Sequence, residues 1–259
     1  MLKLVYCEFC KLKRRKLFYI AFLTTFIMPL FYTLLLSDRG LDNLLSVVRE
    51  ENGFLLLIPL SVVLAANLFF AEYDCDTLKN LLCIPVSKGG LAAAKMLVLL
   101  LFDIGYMAAG AVFALLLTMA SGGSLMDCGV QLLITLGTGV LLWAAALPCV
   151  LVVIWCNQTY IISVIIAFAY TAFGYLLHIS DAVCMVPLGV NVQTFLPVPV
   201  IFRWLYQFHR MEGVGGETLA FYKRFQPYFI STPVVFAILM AEAAVCMLGM
   251  VIIYKRQKQ

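Results

Sequence analysis

Long uncharged runs alternate with short polar stretches along this chain. Leu17–Leu36, Phe54–Ala71, Val130–Cys156 and Tyr160–Leu177 contain no charged residue. Met96–Met119 contains one, Asp103, and Val234–Tyr254 contains one, Glu242. A helix of about 20 apolar residues crosses the hydrocarbon core of a bilayer, so the pattern predicts six transmembrane helices. Backbone polar groups in lipid must be satisfied within the segment, which a helix does and an open strand does not. The predicted fold class is therefore an all-α integral membrane protein, with residues 1–259 forming one transmembrane domain. The first run follows a basic stretch, as a secretory leader would. It is longer than a leader's apolar region, and no small-x-small site follows Leu36, so it reads as a retained span.

The connections refine this picture. In residues 1–16, Leu2, Val5, Phe9 and Leu12 recur at helical spacing with basic residues between and after them. That pattern predicts an amphipathic helix in the headgroup layer. Ser37–Gly53 and the Gly-rich Ser121–Gly129 read as short loops, and Asn157–Thr159 as a tight turn. Two connections are long: Glu72–Lys95 and His178–Pro233. Within the second, Val183–Phe208 is largely apolar, broken by Pro187, Pro197 and Pro199, and it carries Phe202, Arg203 and Trp204. That composition predicts re-entrant or interfacial helices between the fifth and sixth spans. Phe202 and Trp204 are candidates either for a substrate gate or for an aromatic belt.

Composition agrees with a lipid solvent: 64% of residues are hydrophobic and 12% charged, too few charges to cover a soluble surface. The net charge of +4 follows from where Lys and Arg fall. Lys3, Lys11, Lys13, Arg14, Arg15, Lys16, Lys79, Lys88, Lys95, Lys255, Arg256 and Lys258 share one side if six spans are counted, which predicts both termini in the cytoplasm. This basicity is that of a membrane anchor, and no nucleic-acid partner is expected. Nine scattered cysteines outline no disulfide framework. Cys7 and Cys10 form a CxxC with no second ligand pair nearby, so no metal site is expected.

The connection 72–95 is the most informative. Asp74, Asp76 or Thr77 can cap a helix start, and Leu78, Leu81, Leu82 and Pro85 follow at i, i+3, i+4, i+7 spacing. Lys79 and Asn80 face the other way, and Pro85 ends the helix. A short amphipathic helix on the inner side must lay its apolar face on the membrane or in a partner's groove. This stretch resembles the first cytoplasmic loop of type-2 ABC exporter permeases, matching their pattern at Glu72, Thr77, Leu78, Leu82, Pro85, Ser87, Ala94 and Lys95. Asp76 stands where that family usually has Gly. Within the class, the short six-span chain most resembles the lantibiotic-protection and bacitracin-resistance permeases.

The resemblance implies an ATPase-coupling helix made by Glu72, Asp76, Thr77, Leu78, Lys79, Leu81, Leu82 and Pro85, seated on a cytosolic ABC ATPase present in two copies. It implies a second permease, identical or homologous, in a bacterial cell membrane, and a cargo that is a lantibiotic or other antimicrobial peptide. Other drug or lipid exporters of the class are the alternative. No G-x-x-x-x-G-K-[ST] occurs in the chain, so ATP and Mg are expected on the partner and no cofactor or catalysis on this chain.

Asp103 and Glu242 are candidates for the substrate path, because an acid within the membrane is costly unless paired or hydrated. An interhelical polar contact is the other reading of each. An intramembrane protease would need paired catalytic groups at one depth. Glu50-Glu51 is such a pair only in sequence, and no HExxH occurs. A secondary carrier is disfavoured, since no internal repeat is visible.

Overall fold

The structure is a computed structural model that describes residues 2–35, 40–74, 88–123, 125, 127–156, 160–209 and 216–256. Among these residues every regular element is helical. Helix α1 (Leu2–Lys13) precedes the first span, α2 (Lys16–Leu35). Helix α3 (41–74) contains the second span, α4 (Lys88–Ser121) the third, α5 (Cys128–Cys156) the fourth and α6 (Tyr160–Ile179) the fifth. A cap of α7 (Asp181–Cys184), α8 (Pro197–Leu205) and α9 (Glu217–Phe225) leads to the last span, α10 (Thr232–Arg256). Six helices are thus long and apolar enough to cross a membrane. The start of α1, the end of α3 and the start of α4 lie at one end of the bundle, the cap at the other.

The spans are unequally covered. Of the most apolar stretch of each, 78% is buried in α3 and 67% in α5, against 17% in both α2 and α6. The core therefore sits on α3, α4 and α5, with α2, α6 and α10 around it. Side chains such as Ile20, Leu23 and Leu34 on α2 and Ile161, Phe168 and Leu176 on α6 stand outward, as lipid-facing residues do.

Three local features shape the bundle. In α2, Pro29 has no N–H to give the carbonyl of Thr25 four residues earlier. The Asn52 side-chain amide donates to that carbonyl instead, at 2.7 Å. The helix tightens into a 3-10 turn at Thr24–Phe26, and Thr25 is bound to α4 as well, its hydroxyl donating to Tyr106 O at 3.2 Å. In α5, Pro148 disturbs the same ladder, and the Tyr170 hydroxyl of α6 donates to Ala145 O at 2.7 Å. At Pro29 a neighbouring helix resupplies what the proline removes, as a span in lipid requires; at Pro148 the bond from α6 falls on the adjacent carbonyl, Ala145 O, not on Ala144 O.

The third feature is a close approach. A Cβ on Gly139 of α5 would lie 3.2 Å from Ile104 Cα and 3.3 Å from Asp103 O of α4. Those atoms are backbone and cannot swing aside. Gly139→Ala is expected to cost about 1–3 kcal/mol through overpacking, read as a lower Tm of the detergent-purified protein.

The main departure from the sequence expectation is in α3. Residues expected in the loop Ser37–Gly53 are helical from Leu41 onward, and Val48–Leu57 is wound as a π-helix. Leu41, Leu44, Leu45 and Val48 are all buried; their i, i+3, i+4, i+7 spacing carries the helix upstream of the uncharged run. The polar tetrad Arg49–Asn52 interrupts apolar runs, not the helix. Helix α4, by contrast, starts at Lys88 directly after Ser87, a competent cap, and runs on into the span expected from Met96.

Candidate functional site

Of the residues expected to couple to an ATPase, Glu72 lies in the last turn of α3. Asp76, Thr77, Leu78, Lys79, Leu81, Leu82 and Pro85 lie outside the described residues. What the structure does describe is the pair of helix ends that carry this connection, and they are fastened together by a buried charge.

Lys95, expected among the charges facing the cytoplasm, is fully buried about two turns into α4. Its ammonium lies 3.3 Å from a carboxylate oxygen of Glu8 on α1 and donates to Leu68 O of α3 at 2.5 Å. It also stands 5.3 Å above the ring of Phe69. Glu8, 1% exposed, holds Lys11 as well. A charge of this kind is tolerated out of water only when paired and hydrogen-bonded. Lys95 thus joins α1, α3 and α4 where the 75–87 connection leaves and re-enters the bundle.

Helix α1 follows its apolar stripe in part. Val5, Phe9 and Leu12 pack against the bundle, while Leu2 stands free at 87% exposure. The same side carries Glu8, so this face is joined to protein as well as fitted to lipid. The sequence reading missed both partners, although the signal was there: Glu8 and Lys95 each occupy helical positions otherwise filled by apolar residues.

Asp103 lies two turns further along α4 and is fully buried. The Ser61 hydroxyl of α3 donates to its Oδ2 at 3.0 Å. This is the interhelical contact that was one of the two readings of Asp103. Asp103→Asn keeps an acceptor for Ser61 and is expected to change stability by less than about 1 kcal/mol. Asp103→Ala, which strands the buried hydroxyl, is expected to cost about 1–3 kcal/mol, with thermal unfolding separating the two.

Glu242 is half-buried on α10, within electrostatic reach of Tyr170 and Cys246. Among the described residues no contact joins it to Asp103, so the two acids do not form one site.

At the far end, Arg49 is buried and donates to Gln131 Oε1 of α5 at 2.7 Å and to Ser46 Oγ at 3.2 Å. Glu50 pairs with His209 of the cap at 2.9 Å. The π-helical winding is uncommon and recurs at functional positions. Here it turns Arg49, Asn52 and Gly53 inward together and binds α3 to α2, α5 and the cap.

All nine residues of α8 are buried among α5, α6 and α10. It is the interior element of the cap, started by Pro197 at its first turn, where a missing N–H costs nothing. Helix α9 buries Phe225 alone and is the surface element. Phe202 sits in a ring cluster, 4.8 Å from His178, 5.4 Å from Tyr206 and 5.7 Å from Phe225. Trp204 Nε1 donates to Thr232 Oγ1 at 3.0 Å, and its indole packs on Phe208 and Phe236. Both side chains are interior to the cap.

Set against known proteins, the chain matches a family model described as ABC-2 family transporter protein over residues 4–174. The match runs from α1 into α6, through the 75–87 connection and the Glu8–Lys95 pair, and stops before the cap. Comparison with curated proteins finds no match.

Proposed function

We propose that this chain, which belongs to the ABC-2 transporter family, expels a lantibiotic or another membrane-active antimicrobial peptide and so confers immunity or resistance. It is a membrane permease of an ABC transporter, a transport subunit that works with an ABC ATPase. The observation that carries the cargo reading is the character of the cavities along the spans. One is an open apolar hollow along Phe18, Phe22, Leu23 and Phe26 on the outer face of α2, and one of about 330 Å³ lies between Leu151 and Trp155 of α5 and Gly249 and Ile252 of α10. They are apolar grooves suited to a cargo taken from the bilayer rather than from water.

The remaining parts follow from the same reading. The ATPase, in two copies, binds ATP and Mg and seats the amphipathic segment around Leu78, Leu81 and Leu82. The ion pair of Glu8 and Lys95 then passes movement of that segment to α1, α3 and α4 together. A second permease, identical or related, covers part of the apolar surface left by α2 and α6. The basic termini lie in the cytoplasm of a bacterial cell membrane.

The test is expression of the chain with candidate ATPases in a peptide-sensitive host. Severalfold higher resistance to lantibiotics or bacitracin, lost with an inactive ATPase, is expected. Unchanged sensitivity across the panel removes the peptide cargo. Separately, L78D combined with L82D is expected to abolish co-purification with the ATPase; survival of assembly and ATPase stimulation rejects the coupling role.

A further inference from the structure

A second cavity type lies at the far end. It measures about 500 Å³ and opens between Leu188, α8, the 227–231 segment and the first turn of α10. Its wall includes Arg203, Tyr228, Phe229, Ser231 and Val234. Arg203 is 2% exposed. Its Nε donates to Tyr228 O at 2.8 Å, while its Nη1 is buried with no hydrogen-bond partner. Among the described residues no carboxylate pairs with it, and none lines the cavity.

A buried guanidinium without a counter-charge is expensive, and burial draws its pKa below the ordinary guanidinium range. Its fork of donors matches a carboxylate or phosphate. The second anion-favouring element is independent of it: Ser231 stands just before α10 and Val234 lies in its first turn, at the positive end of a 25-residue helix.

Depth decides which anion. The cavity lies beside Thr232, where the last helix long and apolar enough to cross a membrane begins, and the ends of such a helix meet the headgroups. Leu188, Phe229 and Val234 offer apolar surface beside the charge, as an acyl chain would need. The geometry points to a binding site for a phosphate-bearing group on Arg203 at the cap end of α10. The site is independent of the peptide cargo.

Native mass spectrometry of the full chain in a neutral maltoside micelle tests it. Phosphatidylglycerol is titrated against diacylglycerol of the same acyl chains, with inorganic phosphate as competitor. Phosphatidylglycerol is expected to be retained and diacylglycerol not. R203Q and V234W are each expected to weaken retention about tenfold, the size of one charge-assisted contact. Val234 is 41% exposed, so V234W fills the cavity mouth without disturbing the core and decides the matter if R203Q does not fold. Competition by inorganic phosphate identifies the phosphate group itself as the ligand; its failure to compete identifies the intact lipid. Wild-type retention by either variant, or equal retention of diacylglycerol, overturns the site.

Discussion

Glu8→Ala is expected to lower stability by about 3–5 kcal/mol, the usual consequence of removing one member of a buried ion pair. Lys95 would keep its charge in the interior, with the Leu68 carbonyl and the Phe69 ring beside it but no Glu8 carboxylate. The reverse change is expected to cost less. In Lys95→Met, Glu8 retains Lys11, which reaches the surface at 43% exposure and is solvated there. The double variant Glu8→Gln with Lys95→Met should recover much of the loss, since a neutral pair carries no stranded charge. Denaturant or thermal unfolding in detergent orders the variants. If Glu8→Ala proves no worse than Lys95→Met, the pair is not the fastening between α1 and α4. A transport assay adds the mechanical question: the double variant, stable but unlatched, should lose export while still binding the ATPase.

Trp204→Ala is expected to be of similar size, about 3–5 kcal/mol for deleting a large buried aromatic. The indole fills the space between α8, Phe208 and Phe236. Trp204→Phe keeps most of that volume and forfeits the bond to Thr232 Oγ1, for about 1 kcal/mol. Limited proteolysis of the cap should follow the same order. A substrate contact behaves differently: stability would hold while export fell. Stable Trp204→Ala protein with impaired export would restore Trp204 to the substrate path.

These two positions show what was legible in advance. Phe202 and Trp204 were visible as unusual, because a connecting segment as apolar as Val183–Phe208 suits an interfacial or re-entrant place. Their neighbours were not visible, since His178, Tyr206 and Phe225 come together only through the return of the chain. Lys95 was read as an inner-side charge from position alone. Its partner lies 87 residues earlier, on a helix whose stripe of Leu2, Val5, Phe9 and Leu12 drew attention away from Glu8. Arg49 was assigned to a loop because a polar tetrad looks like the end of a span. The apolar spacing upstream outweighs it once Gln131 of α5 is available to accept from the guanidinium.

The sequence by itself determined the solvent, the number of spans and the class of element. Each follows from composition and from runs long enough to cross a bilayer, which are local quantities. It also marked 72–95 as a segment with an apolar face lacking an obvious place, and the family match over residues 4–174 includes that segment. Only the tertiary structure decided which charges are structural. Burial and pairing depend on residues far apart in the chain meeting at one depth, as Glu8 meets Lys95, Ser61 meets Asp103 and Gln131 meets Arg49. It also separated Arg203, which packing leaves without a counter-charge among the described residues, from the other basic residues of the same long connection.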